Sequence, residues 1–285
     1  MKIIILIGQR VRSGTNFLGS TLSQHPEIQT IPPEKSHGEF NLFKDRAIES
    51  VLKNISDKSF GIEYNESDVD EFYETFGNLI INQIVQKYDL NSNQALFIKS
   101  PFIANYDLWL KAFPEAKFVF LCRDGRDNVI SSVKASLIRK RWFSVWRNLK
   151  ININLLSGRL FITQIKDWKQ TALIYDQVAT GKNIMKVRYE DLINARNELS
   201  QLLDFLELNN SKAIADKCLN APVVGSSFGK NSKDVTKSNW IPDHDKSKFK
   251  FVKKWEKWNV VKKQIFKSIA GKELIRLGYE KNSDW

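Results

Sequence analysis

Five residues whose side chains and backbone suit anion capture stand in unbroken order at Arg12-Ser13-Gly14-Thr15-Asn16, just after an apolar run, Ile3 to Ile7, that ends at Gly8. The N–H groups of such a turn can converge on one point. Phe17, Leu18 and Leu22 follow at helical spacing, so the positive end of a helix adds to the cradle. The chemistry this permits is binding of a phosphate or sulfate group. The widespread triphosphate loop, G-x-x-x-x-G-K-[ST], supplies a lysine for the phosphates and a hydroxyl for magnesium. Here five residues separate Gly8 from Gly14, Thr15 follows at once with no lysine between, and the positive charges come earlier, at Arg10 and Arg12. That departure argues against magnesium-ATP. The competing reading is an ordinary strand-to-helix turn.

More chemistry follows the other apolar runs. Candidate strands lie at 2–7, 95–99, 117–122 and 183–187, and ligands of open α/β sheets gather at the carboxyl ends of strands. The second run is followed by Lys99-Ser100-Pro101, the third by Arg123-Asp124-Gly125-Arg126-Asp127, and the fourth by Arg188-Tyr189-Glu190-Asp191. Four cationic strand ends predict a pocket for a ligand with several negative groups, with Tyr189 as an aromatic surface for a base. Ser131 lies eight residues after Arg123, in the next expected helix. An arginine fork and a hydroxyl can then meet on one phosphate. Taken alone, Ser131 reads better as a mid-helix serine bonded to the carbonyl four residues back.

The elements that must position these groups alternate strand and helix along the chain, which predicts an α/β fold with a central, mainly parallel sheet flanked by helices. The clearest helix is 190–206, with Leu192, Leu199, Leu202, Leu203 and Leu206 on one face. Residues 220–248, rich in Ser, Asn, Asp, Pro and Gly, read as a long loop. Trp142, Trp146 and Trp168 read as core rather than as walls of an acceptor pocket. With 285 residues, 42% hydrophobic and 27% charged, and no evident boundary, the chain is expected to form one domain, 1–285.

Composition narrows the function classes. No apolar run reaches the roughly 18 residues of a membrane span, and the N-terminus lacks the pattern of a secretory signal, so the expected location is cytoplasmic. Two cysteines, Cys122 and Cys218, suit a reducing compartment and make neither a disulfide framework nor a zinc site. The three histidines, His25, His37 and His244, form no ligand set with carboxylates, so no metal is expected. The net charge of +12 (44 basic minus 32 acidic) favours anionic partners. The lysines from Lys246 to Lys263 read either as a solvated helix face or as an anion-collecting rim. No signature of nucleic-acid recognition accompanies them.

In combination these motifs resemble the two signatures of sulfotransferases that use 3′-phosphoadenosine 5′-phosphosulfate (PAPS). The likeness is closest to the tyrosylprotein and carbohydrate branch and its bacterial relatives. It extends to His25-Pro26-Glu27, Lys99-Ser100-Pro101, Tyr189-Glu190-Asp191 and Lys254-Trp255, so its anchors run from residue 3 to residue 255. The resemblance implies the sulfotransferase version of the P-loop nucleotide-hydrolase architecture. It also implies a PAPS co-substrate, transfer to a hydroxyl of a carbohydrate, lipid, metabolite or tyrosine, and no metal. Carried over to this chain, it assigns the 5′-phosphosulfate to Arg12, Ser13, Gly14, Thr15 and Asn16, although threonine is commoner in the family where Asn16 stands. It assigns the 3′-phosphate to Arg123 and Ser131, with Tyr189 near that phosphate or the adenine. Lys99 would steady the transferring group together with Arg12, and Lys254 would close over the nucleotide. Ser226 or Ser227 would contribute from the long loop.

The acceptor hydroxyl must lose a proton. The cytosolic branch places a histidine two residues after its lysine, where this chain has Pro101. The tyrosylprotein branch uses a glutamate soon after its His-Pro turn, which points to Glu34, with His37 as the second choice. A solvated loop carboxylate is the alternative for Glu34, and His25-Pro26 reads as a helix stop. The acceptor is expected to lie among residues 35–75, 140–165 and 225–250. A cysteine-poor, Lys- and Asn-rich chain with no apolar run long enough for an anchor suits a bacterial cytosolic enzyme. Two other functions stay open at this point: a nucleotide or small-molecule kinase, and a non-catalytic basic module that binds polyanions.

Overall fold

The computed structural model describes residues 1–31, 37–55, 65–139, 145–193, 196–225 and 242–285. Glu34, Trp142, Ser226 and Ser227 lie outside the described residues. Within them, five strands, β1 (Ile3–Gly8), β2 (Ile28–Thr30), β3 (Ala95–Ser100), β4 (Lys117–Cys122) and β5 (Ile184–Arg188), form a sheet in the order β2-β3-β1-β4-β5. Every pairing is parallel. The chain leaves β1 for the β2 edge, returns through β3, then crosses to β4 and β5. The order therefore reverses at β1, and the crevice beyond its carboxyl end is the natural ligand position in such a sheet.

Strand composition explains why the sheet is central. A parallel strand covered on both faces reads as a continuous apolar run, and Ile4 to Ile7 are all fully buried. Ile5 and Ile7 join a cluster with α3 (Glu66–Tyr88) and α4 (Tyr106–Ala112), including Ile84, Trp109 and Phe113. Ile4 and Leu6 face the other way, toward Leu18 and Leu22 of α1 (Thr15–Leu22) and Leu199 and Leu202 further along the chain. A third cluster packs α5 (Gly125–Arg139) and α7 (Arg159–Gln177) against the C-terminal helix through Val129, Trp168 and Phe266. Trp168 is core, as its spacing suggested.

Two details differ from the sequence reading. The expected helix 190–206 is two elements, α8 (Tyr189–Leu192) and α9 (Arg196–Phe205). Periodicity does not reveal the break, because Leu192 and Leu199, seven residues apart, hold the same face on either side of it. The edge strand β2 was not expected, since three residues are too few to show a pattern. The strip Gly38 to Phe40 prolongs that edge. Lys99 N–H donates to Gly38 O at 2.7 Å and Phe40 N–H to Lys99 O at 2.8 Å. His25 is structural: its Nδ1 accepts from Glu27 N–H at 3.1 Å and its Nε2 meets Asn209 O at 2.8 Å. On either side of residues 226–241, Val223 and Asp243 exchange backbone hydrogen bonds of 2.8 and 3.0 Å. That interval of the expected long loop is outside the described residues.

The remaining helices are α2 (Ala47–Ile55), α6 (Val145–Leu156), α10 (Lys212–Leu219) and α11 (Val260–Arg276). No helix of the described residues is long and apolar enough to cross a membrane.

One packing contact gives a sharp test. A Cβ at Gly77 of α3 would stand 2.2 Å from Ala112 O. Glycine to alanine inside a helix ordinarily gains about 1 kcal/mol, but a backbone carbonyl cannot swing aside. Gly77→Ala is therefore expected to destabilise the fold by about 1–3 kcal/mol, read as a lower urea midpoint at unchanged slope. A raised midpoint would show that α3 and α4 do not pack this closely.

Candidate functional site

The turn between β1 and α1 owes its shape to its own side chains. Ser13 Oγ donates to Arg10 O at 2.7 Å and accepts Arg10 N–H at 3.1 Å. The serine hydroxyl thus stitches the turn, and the first N–H groups of α1 have no intrahelical acceptor. Arg12 takes a positive φ of 72° and Gly14 one of 105°. A Cβ at Gly14 would lie 2.3 Å from the Tyr189 ring, so only glycine lets the turn rest on that ring. Thr15 is buried over Gly8, where a side chain would meet its methyl group.

The two arginines before the turn separate. Arg10 points away, bonded to Gln164 O and Oε1, both at 2.9 Å. Arg12 points in: its Nε donates to Ser131 Oγ at 3.1 Å and its Nη1 to Gly225 O at 3.2 Å. Ser131 accordingly faces Arg12 across 119 residues of chain. Gly225 closes on the cradle from the other side, so near that a Cβ there would stand 2.1 Å from Asn16 Nδ2. The chain thus enters residues 226–241 from directly above the turn.

Arg123 comes off β4 and crosses to the same place. Its Nη1 donates to Arg12 O at 3.1 Å and its Nη2 to Phe251 O at 2.6 Å. Its guanidinium carbon lies 4.4 Å from the Tyr189 ring centre, a cation–π stack. Its Nε–H is buried with no hydrogen-bond partner among the described residues. An unbonded buried donor on an arginine is costly, and an anion would satisfy it. Tyr189 itself is buried beneath Gly14 and Arg123, its hydroxyl pushed up to about 12 by burial. Glu190 next to it accepts Asp124 N–H at 3.0 Å, and burial raises its carboxyl to about 7 against the pull of Arg123.

Lys254 arrives from the far end of the chain. It opens a short 3-10 turn, Lys254–Lys257. Lys253 N–H and Lys254 N–H both donate to the Asp127 carboxylate, at 2.6 and 2.7 Å. Burial brings the Lys254 ammonium down to about 7, with Arg123, Arg12 and Lys134 pushing the same way and Asp127 opposing them. Asp127, and Lys134 one turn beyond Ser131 on α5, were not singled out in the sequence. Asp127 could have been noticed as the last residue of Arg-Asp-Gly-Arg-Asp, whereas Lys134 carries no local signal.

Lys99 stands on the opposite flank of the cradle and is fully buried. Its ammonium donates to Asn16 Oδ1 at 2.5 Å and lies 3.4 Å from Glu39 Oε2. Burial lowers it to about 8, with Glu39 acting in the other direction. Asn16 thus holds the lysine through its amide oxygen. Glu39 was missed because nothing in the sequence ties it to Lys99; strip-to-strand pairing at Glu39 and Lys99 does. His37 sits nearby, its Nδ1 3.2 Å from Ser23 Oγ, and burial followed by the Lys99 charge lowers its pKa. No group of metal-ligating side chains occurs among the described residues.

Arg12, Ser13, Gly14, Thr15, Asn16, Lys99, Arg123, Ser131, Tyr189 and Lys254 therefore meet around one cradle, in two flanks. Arg12, Arg123, Ser131 and Lys254 gather on the β4 side, and Lys99, Asn16 and Glu39 on the β3 side. Such a site can bind a ligand with two separated anionic groups.

The architecture is shared with known proteins. A crystal structure of the mouse sulfotransferase SULT7A1 complexed with PAP superposes with a TM-score of 0.53 at 13% identity, over 96% of this chain and 84% of that one. The sulfotransferase domain of the olefin synthase from Synechococcus PCC 7002 aligns at 18% identity over 94% of each chain, with a TM-score of 0.49. The first of these likenesses concerns the fold. Residues 4–212 match the profile of the sulfotransferase family, a stretch that carries the β1 cradle, Lys99, the Arg123–Ser131 pair and Tyr189, and the chain belongs to that family.

Proposed function

We propose that the protein moves a sulfuryl group from PAPS to an acceptor hydroxyl on a carbohydrate, lipid, metabolite or tyrosine. The observation that carries the donor half is the buried, unbonded Nε–H of Arg123, set among Arg12, Ser131 and Lys254. A terminal 3′-phosphate is the group that would meet these donors, while the 5′-phosphosulfate would lie along the N–H groups of the Arg12 to Asn16 turn. PAP, named in the neighbour's crystal complex, has the same two-ended anionic form.

The chemistry asks for little covalent work. The acceptor oxygen forms a bond to sulfur as the bridging S–O bond to the phosphate breaks, and charge shifts onto that bridging oxygen. Arg12 and Lys99 would neutralise it. Asn16 and Glu39 hold Lys99 in place for that role. The acceptor proton passes to a base. We assign the base to Glu34, with His37 second; the lowered pKa of His37 keeps it neutral and able to accept a proton at pH 7. Replacing Glu34→Gln is expected to reduce turnover by about 10²-fold with PAP binding intact. Unchanged turnover would remove Glu34 from the mechanism and pass the role to His37.

The donor is tested by thermal shift. PAP at about 100 times its dissociation constant stabilises a protein by about 2.7 kcal/mol. A rise in melting temperature with PAP, absent with ADP or magnesium-ATP and lost in Arg123→Ala, is the expected result. An equal response to magnesium-ATP would favour a kinase.

The lysines add a pH signature. With its ammonium lowered to about 7, Lys254 is mostly neutral at pH 8 in the free protein. A bound phosphate raises that pKa, so binding must take up a proton. Calorimetric titration with PAP at pH 8, in two buffers of different ionisation enthalpy, should show net uptake, and affinity should fall between pH 7 and 9. Lys254→Met should remove most of the uptake, and at pH 6, where the lysine is already charged, it should vanish. No uptake at pH 8 would place Lys254 away from the phosphate.

A further inference from the structure

We propose that Arg126 is a positioning residue for Lys254, acting through a clamp of two indole rings, and that segment 280–285 thereby takes part in nucleotide binding without touching the nucleotide. The proposal rests on the donor reading above.

Arg126 has the charge to bind a phosphate and no freedom to do so. It is 2% exposed. Its Nε and Nη2 donate to the two oxygens of Asp124 at 2.9 and 2.7 Å, and its Nη1 to the Glu280 carboxylate. Its guanidinium carbon lies 3.6 Å from the centre of the Trp255 ring and 4.5 Å from that of Trp285. The two indoles meet edge to face at 5.6 Å. All three guanidinium nitrogens are bonded to carboxylates and both indoles lie against it, so whatever it does for the ligand it does through a neighbour.

That neighbour is fixed by covalent geometry, since Trp255 follows Lys254. The turn carrying them needs holding: Lys253 adopts a left-handed φ of 58° without being glycine, a conformation that persists only where the surroundings impose it. Asp127 holds the backbone end of the turn through two N–H groups. Arg126 holds the side-chain end by stacking on Trp255. Trp285 completes the clamp, and its own indole N–H is buried with no hydrogen bond among the described residues, so ring contacts with Arg126, Trp255 and Phe266 keep it there. A plain Asp124–Arg126 ion pair would need neither ring. Lysine could replace the charge but not the flat guanidinium that rests on Trp255.

The test is a double-mutant cycle on the chain of residues 1–285. Trp285→Ala and Arg126→Lys are each made with and without Lys254→Met, and PAP affinity is measured by calorimetry. The clamp predicts about tenfold weaker binding for either variant alone and less than twofold further loss once Lys254 is gone. It also predicts a raised KM for PAPS in Trp285→Ala, with kcat at saturating donor within about threefold of the parent. Equal losses in both backgrounds, or no loss, would overturn it. A second arm needs no nucleotide: pulse acylation with acetic anhydride, read by mass spectrometry, should label Lys254 faster in Trp285→Ala than in the parent. Should the parent fail to bind PAP, the donor reading falls, and this arm still decides the clamp, unchanged labelling overturning it.

Discussion

The burial of several cations around one end of the sheet is the constraint around which this molecule is arranged. Arg12, Arg123 and Lys254 are drawn to one end of a parallel sheet, and Lys99 is buried on the other flank of the same cradle. Burying a charge is expensive unless it is paired, and the protein meets that cost differently for each group. Lysine can shed its proton, so Lys99 and Lys254 drift down to about 8 and about 7. Arginine cannot. Arg123 is instead stacked on Tyr189 and bonded to the carbonyl oxygens of Arg12 and Phe251, with one donor left over. Among the described residues, the carboxylates near these cations are Glu39 beside Lys99, Asp127 on the backbone below Lys254, and Glu190, which burial raises to about 7 against the pull of Arg123. A pocket balanced this way is short of negative charge, which is the condition for holding an anion with many oxygens.

The sheet makes the gathering possible. Because β1 lies between β3 and β4, the first strand can present its turn to residues that follow two other strands. Tyr189, at the end of β5, then forms the floor for the turn, and the absence of a side chain at Gly14 sets how close the two come. The hydroxyl of Ser13 and the carbonyl of Arg12 serve the turn and Arg123 respectively. The positive charge that a triphosphate loop would carry on its own lysine is thus supplied from neighbouring strands, at Arg123 and Lys99.

The remaining cation comes from outside the family-matched stretch. Residues 4–212 carry the cradle and both strand-end motifs, while Lys254 is delivered by a turn tied to Asp127 and by Trp255 stacked on Arg126. The motif Arg-Asp-Gly-Arg-Asp therefore has two layers. Its first arginine faces the β1 turn and the Tyr189 ring. Its second arginine and its last aspartate face the C-terminal turn that carries Lys254.

By itself the sequence determined the parallel α/β class, the sites of four strands, and the cationic residues at their ends. These are local facts: apolar runs, glycine at a turn, a charge after a strand. It also marked the Arg12 to Asn16 turn and the Arg123–Ser131 spacing closely enough to indicate the family. The tertiary structure alone decided which charges meet. Arg10 and Arg12 are two residues apart, yet one turns toward α7 and the other to Ser131. Glu39 reaches Lys99 only because an unanticipated strip pairs with β3, and the break between α8 and α9 leaves the leucine period intact. Pairings across such separations depend on strand order and side-chain packing, and neither leaves a periodic trace in a single chain.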